Sequence, residues 1–287
     1  MIQPDKGRTA PAVGRRITTA GTIVPQVAER LGATLMPDWA PGKLEPGTVL
    51  PPLWHWAAFA PIAAMRDLGP DGHPRLGTFL PDLGLNRRMW ASGALRFHKP
   101  LHVDEPLRQD SEIATVEHKT GPAGDMAFVT VRHRISGTDG LAVEEDQTLV
   151  YLNIPDSYRP PKPVPAPTGA AFDTLHPVTP TLLFRYSAIT FNGHRIHYDR
   201  AYATDVERYP ALVVHGPMQA TLLAAAATAH RGAPPTSFRY RGVHPMFDTH
   251  DLRVIGVEDG ATLTLCTAAP QDVGGHQGMQ ATAEWAT

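Results

Sequence analysis

Residues 189–202 read ITFNGHRIHYDRAY, and VVHGPM follows at 213–218. Together they bring Asn192, His194, Arg195, His197, Asp199, His215 and Gly216 into a short span. Three chemistries fit these residue types. His194 and His197 lie three apart and could ligate a metal with Asp199 and His215, since a catalytic zinc takes about three protein ligands. That spacing is weakly specific in a chain with 14 histidines. The same residues could form a solvated loop rich in histidine. They could also form an acid–base centre.

The acid–base reading needs a group that titrates near neutrality, a partner for water and a donor for developing negative charge. Histidine supplies the first. Asn192 both donates and accepts hydrogen bonds, so it can hold a water. A helix starting after VVHG supplies the third, because first-turn amides and the helix dipole favour negative charge. Pro217 has no N–H, which singles out the Gly216 amide as the donor.

The elements around this span repeat in outline. GPMQATLLAAAATAHRG (216–232) reads as an apolar, alanine-rich helix with Pro217 in its first turn and Gly232 at its end. The runs SFRYRGVHP, DLRVIGVEDG, ATLTLCTAA and MQATAEWAT follow as strands, with EDGA as a hairpin turn. Earlier, LPPLWHWAAFAPIAAMRDLG (50–69) reads as an apolar helix after its prolines, ended by Gly69. MWASGALRFHKPL, SEIATVEHKTG, MAFVTVRHRIS and AVEEDQTLVYLN then read as strands. A helix apolar most of the way round must be covered on several sides, which a curved antiparallel sheet can do. The expectation is an α+β chain of two such units. They occupy 1–155 and 175–287, separated by a proline-rich linker at 156–174 within NIPDSYRPPKPVPAPTGAAFDT.

The chain has 287 residues, a formal net charge of -2 and a pI near 6.7. No basic stripe marks a nucleic-acid partner, and no run is apolar for the roughly 20 residues of a membrane span. The N-terminus has no apolar core of signal-peptide length, so a cytoplasmic protein is expected. Cys266 is the one cysteine. It lies in an alternating run and is expected to be a buried strand residue.

FNGHRIHYDRAYA followed by VVHGPM resembles the hydratase motif of MaoC-like hot-dog proteins. On that resemblance the family's histidine falls on His197 and its helix-start glycine on Gly216. Its catalytic aspartate falls on Asn192, and its Asn-Pro pair on His194 and Arg195. The asparagine points to the double hot-dog branch of mesaconyl-C4-CoA hydratase, itaconyl-CoA hydratase and type 2 hydroxyacyl-thioester dehydratases. LPPLWHW, LGPDGHPRLGTFLP, RRMWASGALRFHKPL, EEDQTLVYLN and FRYRGVHPMFD resemble segments of that branch in the same order. The likeness runs from about residue 45 onward.

The resemblance implies two tandem hot-dog units, with the catalytic motif in the second, and reversible addition of water to an α,β-unsaturated acyl thioester. His197 would be the general base, Asn192 would orient the water, and the Gly216 amide would face the enolate-like oxygen. The coenzyme A thioester would be the substrate, with no cofactor and no metal. Arg87, Arg88, Trp90, Trp54, His215 and Asp199 are the expected substrate-facing residues, the arginines as a carboxylate clamp. Arg87 and Arg88 fit a surface pair as well, Trp54 fits core packing, and Asp199 fits a loop brace. Arg239 and Arg241 are expected on a solvated strand face, and His73, His98 and His244 as structural residues. The alternatives are a dehydratase acting on carrier-protein thioesters, a thioesterase, and a non-catalytic acyl-CoA-binding module. Exposed sheet edges leave a homodimer open.

Overall fold

The computed structural model describes residues 12–36, 40, 44–121, 124–286. The extreme N-terminus, read from sequence as lacking an apolar leader core, falls largely outside these residues.

The period-2 runs form the expected strands and two more. They are β1 (Arg16–Gly21), β2 (Arg87–Phe97), β3 (Leu107–Gly121), β4 (Gly124–Gly137), β5 (Gly140–Leu152), β6 (Phe172–His176), β7 (Ser237–Gly242), β8 (Leu252–Asp259), β9 (Thr262–Ala268) and β10 (Gln277–Glu284). They make one continuous antiparallel sheet in the order β1-β3-β4-β5-β2-β7-β10-β9-β8-β6. The seam between the halves is β2 against β7, with Ser92 opposite Arg241 and Arg96 opposite Ser237. β1 and β6 are the outer strands and carry weak alternation. β6 falls at the end of the segment read as linker, where it pairs with β8.

Three α-helices are described: α1 (Pro25–Leu35), α2 (Pro180–Ile189) and α3 (Gly216–Arg231). α3 matches its sequence signals closely, with Pro217 in the first turn and Gly232 at φ 71° closing the end. It buries Met218, Leu222, Leu223 and Ala227 and lies against β2 and β7 to β10.

The helix expected over 50–69 does not form. Leu53 sits in the left-handed region at φ 71°, and only short 3-10 turns occur, at Trp54–Ala58 and Met65–Asp67. Pro61 lies between them and can neither donate nor continue a helix. The α-helix of the first half is α1, which starts on Pro25 and buries Ala28, Leu31, Gly32 and Leu35, one face at helical spacing.

Other local readings hold. Gly260, at φ 58°, makes the β8–β9 turn, and Cys266 is buried in β9. In β7, Phe238 and Tyr240 are buried while Arg239 and Arg241 are exposed. One core joins the halves, from Ile23 and Leu31 through Leu95 to Leu223, Phe238 and Ala283. No described helix is long and apolar enough to cross a membrane.

Candidate active site

The motif loop is built by local hydrogen bonds. Phe191 turns the chain at φ 52° after α2, and the Asn192 amide donates to Ser187 O at 2.8 Å. Asn192 Oδ1 accepts from the His194 N–H at 3.0 Å, an Asx turn that launches the 3-10 turn Arg195–His197. The Asn192 side chain is therefore half committed to the loop. Its NH2 is the part left to face a water. Arg195 pairs with Asp199 at 2.8 Å and lies 4.2 Å over the Tyr202 ring. Asp199 Oδ1 accepts from the Tyr202 N–H at 3.1 Å.

His197 is buried at the end of that turn. Its Nδ1 lies 2.7 Å from the Val213 carbonyl oxygen. A carbonyl only accepts, so Nδ1 carries the proton and Nε2 presents its lone pair. Burial brings the ring's pKa down to about 4, against the opposing effect of the Val213 bond, so it is neutral at pH 7. The His215 ring stacks on it with centroids 3.6 Å apart and planes at 19°. His215 Nε2 is 2.8 Å from Ser187 Oγ, and burial holds its pKa well below the usual range.

His215 caps α3, so this pair stands at the helix start. The Gly216 amide is one of the first-turn donors that no intrahelical carbonyl reaches. A Cβ on Gly216 would meet Trp90 Cε3 at 2.6 Å. The glycine thus lets the β2 indole lie against the helix start. Trp90 is itself stacked on Tyr240, with ring centroids 4.2 Å apart.

The first half adds the 69–73 loop, whose His73 was expected to be a structural residue only. A Cβ on Gly72, at φ 87°, would meet Gly193 O at 1.9 Å, so the 69–73 loop crosses the motif loop backbone to backbone. Arg195 N–H donates to Asp71 O at 2.9 Å, and Arg195 Nη1 to Pro70 O at 2.9 Å. His73 Nδ1 lies 2.9 Å from Asp71 Oδ2, and the His73 ring is 4.2 Å from the His194 ring. Burial lowers the His73 pKa, opposed by the Asp71 bond and aided by the Arg88 charge. Burial lowers His194 well below its usual value, with His73, His197 and Arg88 adding to it. The Asp-x-His spacing in GPDGHP was the available signal, but nothing local says which loop it meets.

The metal set considered from sequence is not assembled. His197 and His215 each keep one ring nitrogen unengaged, Nε2 and Nδ1, but Asp199 is held by Arg195 and the three form no ligand cluster among the described residues. Among the described residues, the ligand atoms that do converge, within 4.8 Å of one another, belong to Asp71, His73 and His194. Asp71 and His73 are hydrogen-bonded to each other, and the Arg88 charge acts on all three. That charge opposes a cation there.

Several expected substrate-facing residues have other work. Arg87 is buried, its Nε 2.6 Å from Glu207 Oε2. Its Nη2 also donates to the Glu207 carbonyl oxygen, and the guanidinium lies 4.7 Å over Tyr209. It braces the two halves and is not free to clamp a substrate. Glu207, unmarked in the sequence reading, is the other half of that brace. His215 is fully buried and supports His197. Asp199 braces the loop, and Trp54 is a core residue beside Leu53 and Tyr186. Arg88 and Trp90 remain partly exposed on β2.

Residues 53–248 match the family described as Hydroxyacyl-thioester dehydratase type 2. The chain is 40% identical over 280 residues to the mesaconyl-C(4)-CoA hydratase of Chloroflexus aurantiacus, covering 95% of this chain and 96% of that one. A MaoC-like dehydratase from Phytophthora capsici superposes with a TM-score of 0.69 at 11% identity, over 96% of each chain. A Mycobacterium tuberculosis protein described as having a double hot-dog fold superposes with a TM-score of 0.57 at 15% identity, over 95% of this chain and 96% of that one. These superpositions establish the double hot-dog fold.

Proposed function

The chain belongs to the hydroxyacyl-thioester dehydratase type 2 family, and on that footing we propose that it adds water reversibly to the double bond of an α,β-unsaturated acyl-CoA. The acyl group is a short, branched, dicarboxylic one of the mesaconyl-C4 type, after the 40%-identical relative. The observation that carries the reading is the His197–Val213 hydrogen bond, which leaves a neutral Nε2 base at the start of α3.

His197 Nε2 takes a proton from water as the water oxygen bonds to Cβ. The π electrons move toward Cα and the thioester oxygen. The Gly216 amide donates to that oxygen, where removing one such donor typically costs about 3–4 kcal/mol. Cα then takes the proton that His197 carries, which completes the addition of water and restores the neutral ring. In the reverse direction His197 returns its proton to the leaving hydroxyl. The Asn192 NH2 holds the attacking water. No cofactor enters this scheme.

The catalytic motif lies in the second hot-dog unit, residues 175–287, and the first, residues 1–155, completes the substrate tunnel through its 69–73 loop and β2. β1 and β6 leave outer edges through which two copies can pair.

The test is hydration of mesaconyl-C4-CoA, followed as loss of the conjugated enone absorbance. Wild type is expected to consume it and His197→Ala to be far slower. Equal, slow consumption by both would sink the assignment. A second reading, dehydration of 3-hydroxyacyl groups on a carrier protein, is favoured by the family's description. Presenting one acyl group on coenzyme A and on carrier protein separates the two.

A further inference from the structure

We propose that Arg88 and Tyr151, both in the first half, form a subsite for a free carboxylate on the acyl group, and that this subsite makes the site selective for dicarboxylic thioesters. The inference rests on the acyl-thioester reading above.

Arg88 on β2 and Tyr151 on β5 are direct cross-strand partners. Opposite residues of an antiparallel pair point to the same face, so the two side chains stand together. Trp90 lies two residues along β2, before the bulge that begins after it, and shares that face. Trp90 is the side chain laid against Gly216. Arg88 is thus one strand step, roughly 6.6 Å, from the residue that touches the helix start. That step matches the scale of a short diacid with its thioester oxygen at Gly216 and its far carboxylate at Arg88.

Two orphan groups at this position ask for an anion. The Tyr151 hydroxyl is fully buried beside the Arg88 guanidinium, a donor, and its own proton has no acceptor within hydrogen-bond distance among the described residues. Arg88 has no carboxylate within ion-pair distance among the described residues, whereas its neighbour Arg87 is neutralised by Glu207. An orphaned buried hydroxyl and an unneutralised guanidinium are both donors, and one carboxylate can accept from both. Of the nearby carboxylates, Asp71 is held by His73 through Nδ1 and through the backbone, and Asp82, whose charge reaches Tyr151, is exposed and accepts from the Gly84 N–H. The Arg88 charge also acts on His73 and His194. The subsite therefore borders the histidine corner. A cation at Asp71, His73 and His194 is the competing use of the corner, and the Arg88 charge disfavours it.

The test uses succinyl-CoA and butyryl-CoA, which match in length, differ in the terminal carboxylate and have no double bond to hydrate. Calorimetric titration of the wild-type chain is expected to give a Kd for succinyl-CoA about 10- to 100-fold lower, the range for hydrogen bonds to a charged group. Arg88→Gln should erase the difference and Tyr151→Phe should reduce it several-fold, with Arg88→Lys keeping part of it. The kcat/KM ratio of mesaconyl-C4-CoA to crotonyl-CoA should collapse in Arg88→Gln. Should Arg88→Gln not fold, Tyr151→Phe and Arg88→Lys carry the same comparison. Equal wild-type affinities overturn the subsite, as does a parallel loss for both ligands in a folded Arg88→Gln. A succinyl preference that vanishes on adding a chelator assigns the corner to a metal and overturns it as well. A succinyl preference without hydration of any enoyl-CoA removes the hydratase reading and leaves the subsite standing. Hydration of crotonyl-CoA without a succinyl preference does the reverse.

Discussion

His197 and Val213 are joined by one hydrogen bond, Nδ1–H to the carbonyl oxygen at 2.7 Å, and that bond selects Nε2 as the ring nitrogen free for chemistry. Val213 N–H in turn donates to Ile196 O at 3.0 Å, so the turn carrying His197 and the segment entering α3 hold each other.

The depressed pKa of His197 sets a pH dependence. The ring is neutral above about 4, so hydration should stay flat through neutrality and fall as pH drops toward that value. Stability follows the same window. The unfolded histidine protonates near 6.5, and the folded one only near 4. Between those values the unfolded state binds more protons, so stability is whole above 6.5 and is lost as pH falls to about 4, by on the order of 3 kcal/mol. Urea titrations at a series of pH values should show this slope, and His197→Gln should make it shallower, with the buried His73, His194 and His215 keeping the remainder.

Replacing His197 should act on chemistry more than on binding. His197→Ala is expected to lower kcat by roughly 10²- to 10⁴-fold, the usual worth of a general acid–base group, with KM little changed. Steady-state kinetics on an enoyl-CoA decide this. A tenfold rise in KM with kcat intact would assign the residue to substrate binding instead.

Gly216→Ala should displace Trp90, because the new methyl would meet the indole at 2.6 Å. The expected cost is about 1–3 kcal/mol of stability together with a fall in kcat. Thermal unfolding of Gly216→Ala, Trp90→Leu and the double variant tests the contact. The double variant should be less destabilised than the sum of the singles.

Arg87→Ala should destabilise the chain by about 3–5 kcal/mol, because it leaves Glu207 buried without its partner. Arg87→Met with Glu207→Gln should recover much of that loss. In every folded variant of this pair the preference for succinyl-CoA over butyryl-CoA should persist, since the brace is not the carboxylate subsite.

Gly72→Ala tests the docking of the first half on the motif loop. A side chain there needs an unfavourable φ of 87° and would overlap Gly193 O. Activity should fall sharply, and hydrogen exchange should quicken at Arg195, whose amide donates to Asp71 O. Unchanged exchange at Arg195 would count against the crossing of the two loops.

Much of this protein was legible along the chain. The period-2 runs determined the eight long or well-alternating strands, and proline and glycine punctuation determined α3 to within a residue. The motif itself singled out His197 and Gly216. Each of these signals is local, because strand alternation and helix caps depend on residues a few positions apart. The helix expected at 50–69 failed for a related reason: apolar content alone does not make a helix where Pro61 and a left-handed Leu53 interrupt it. What only the tertiary structure decided are the relations across the seam. Arg87 and Arg88 are adjacent in sequence and opposite in role, because alternation sends one to Glu207 and the other toward Tyr151. Asp71 and His73 reach the motif loop only because Gly72 and Gly193 let two backbones cross. Contacts between residues more than a hundred positions apart leave no periodic trace in one sequence, so the chain alone named a candidate base but not the groups that surround it.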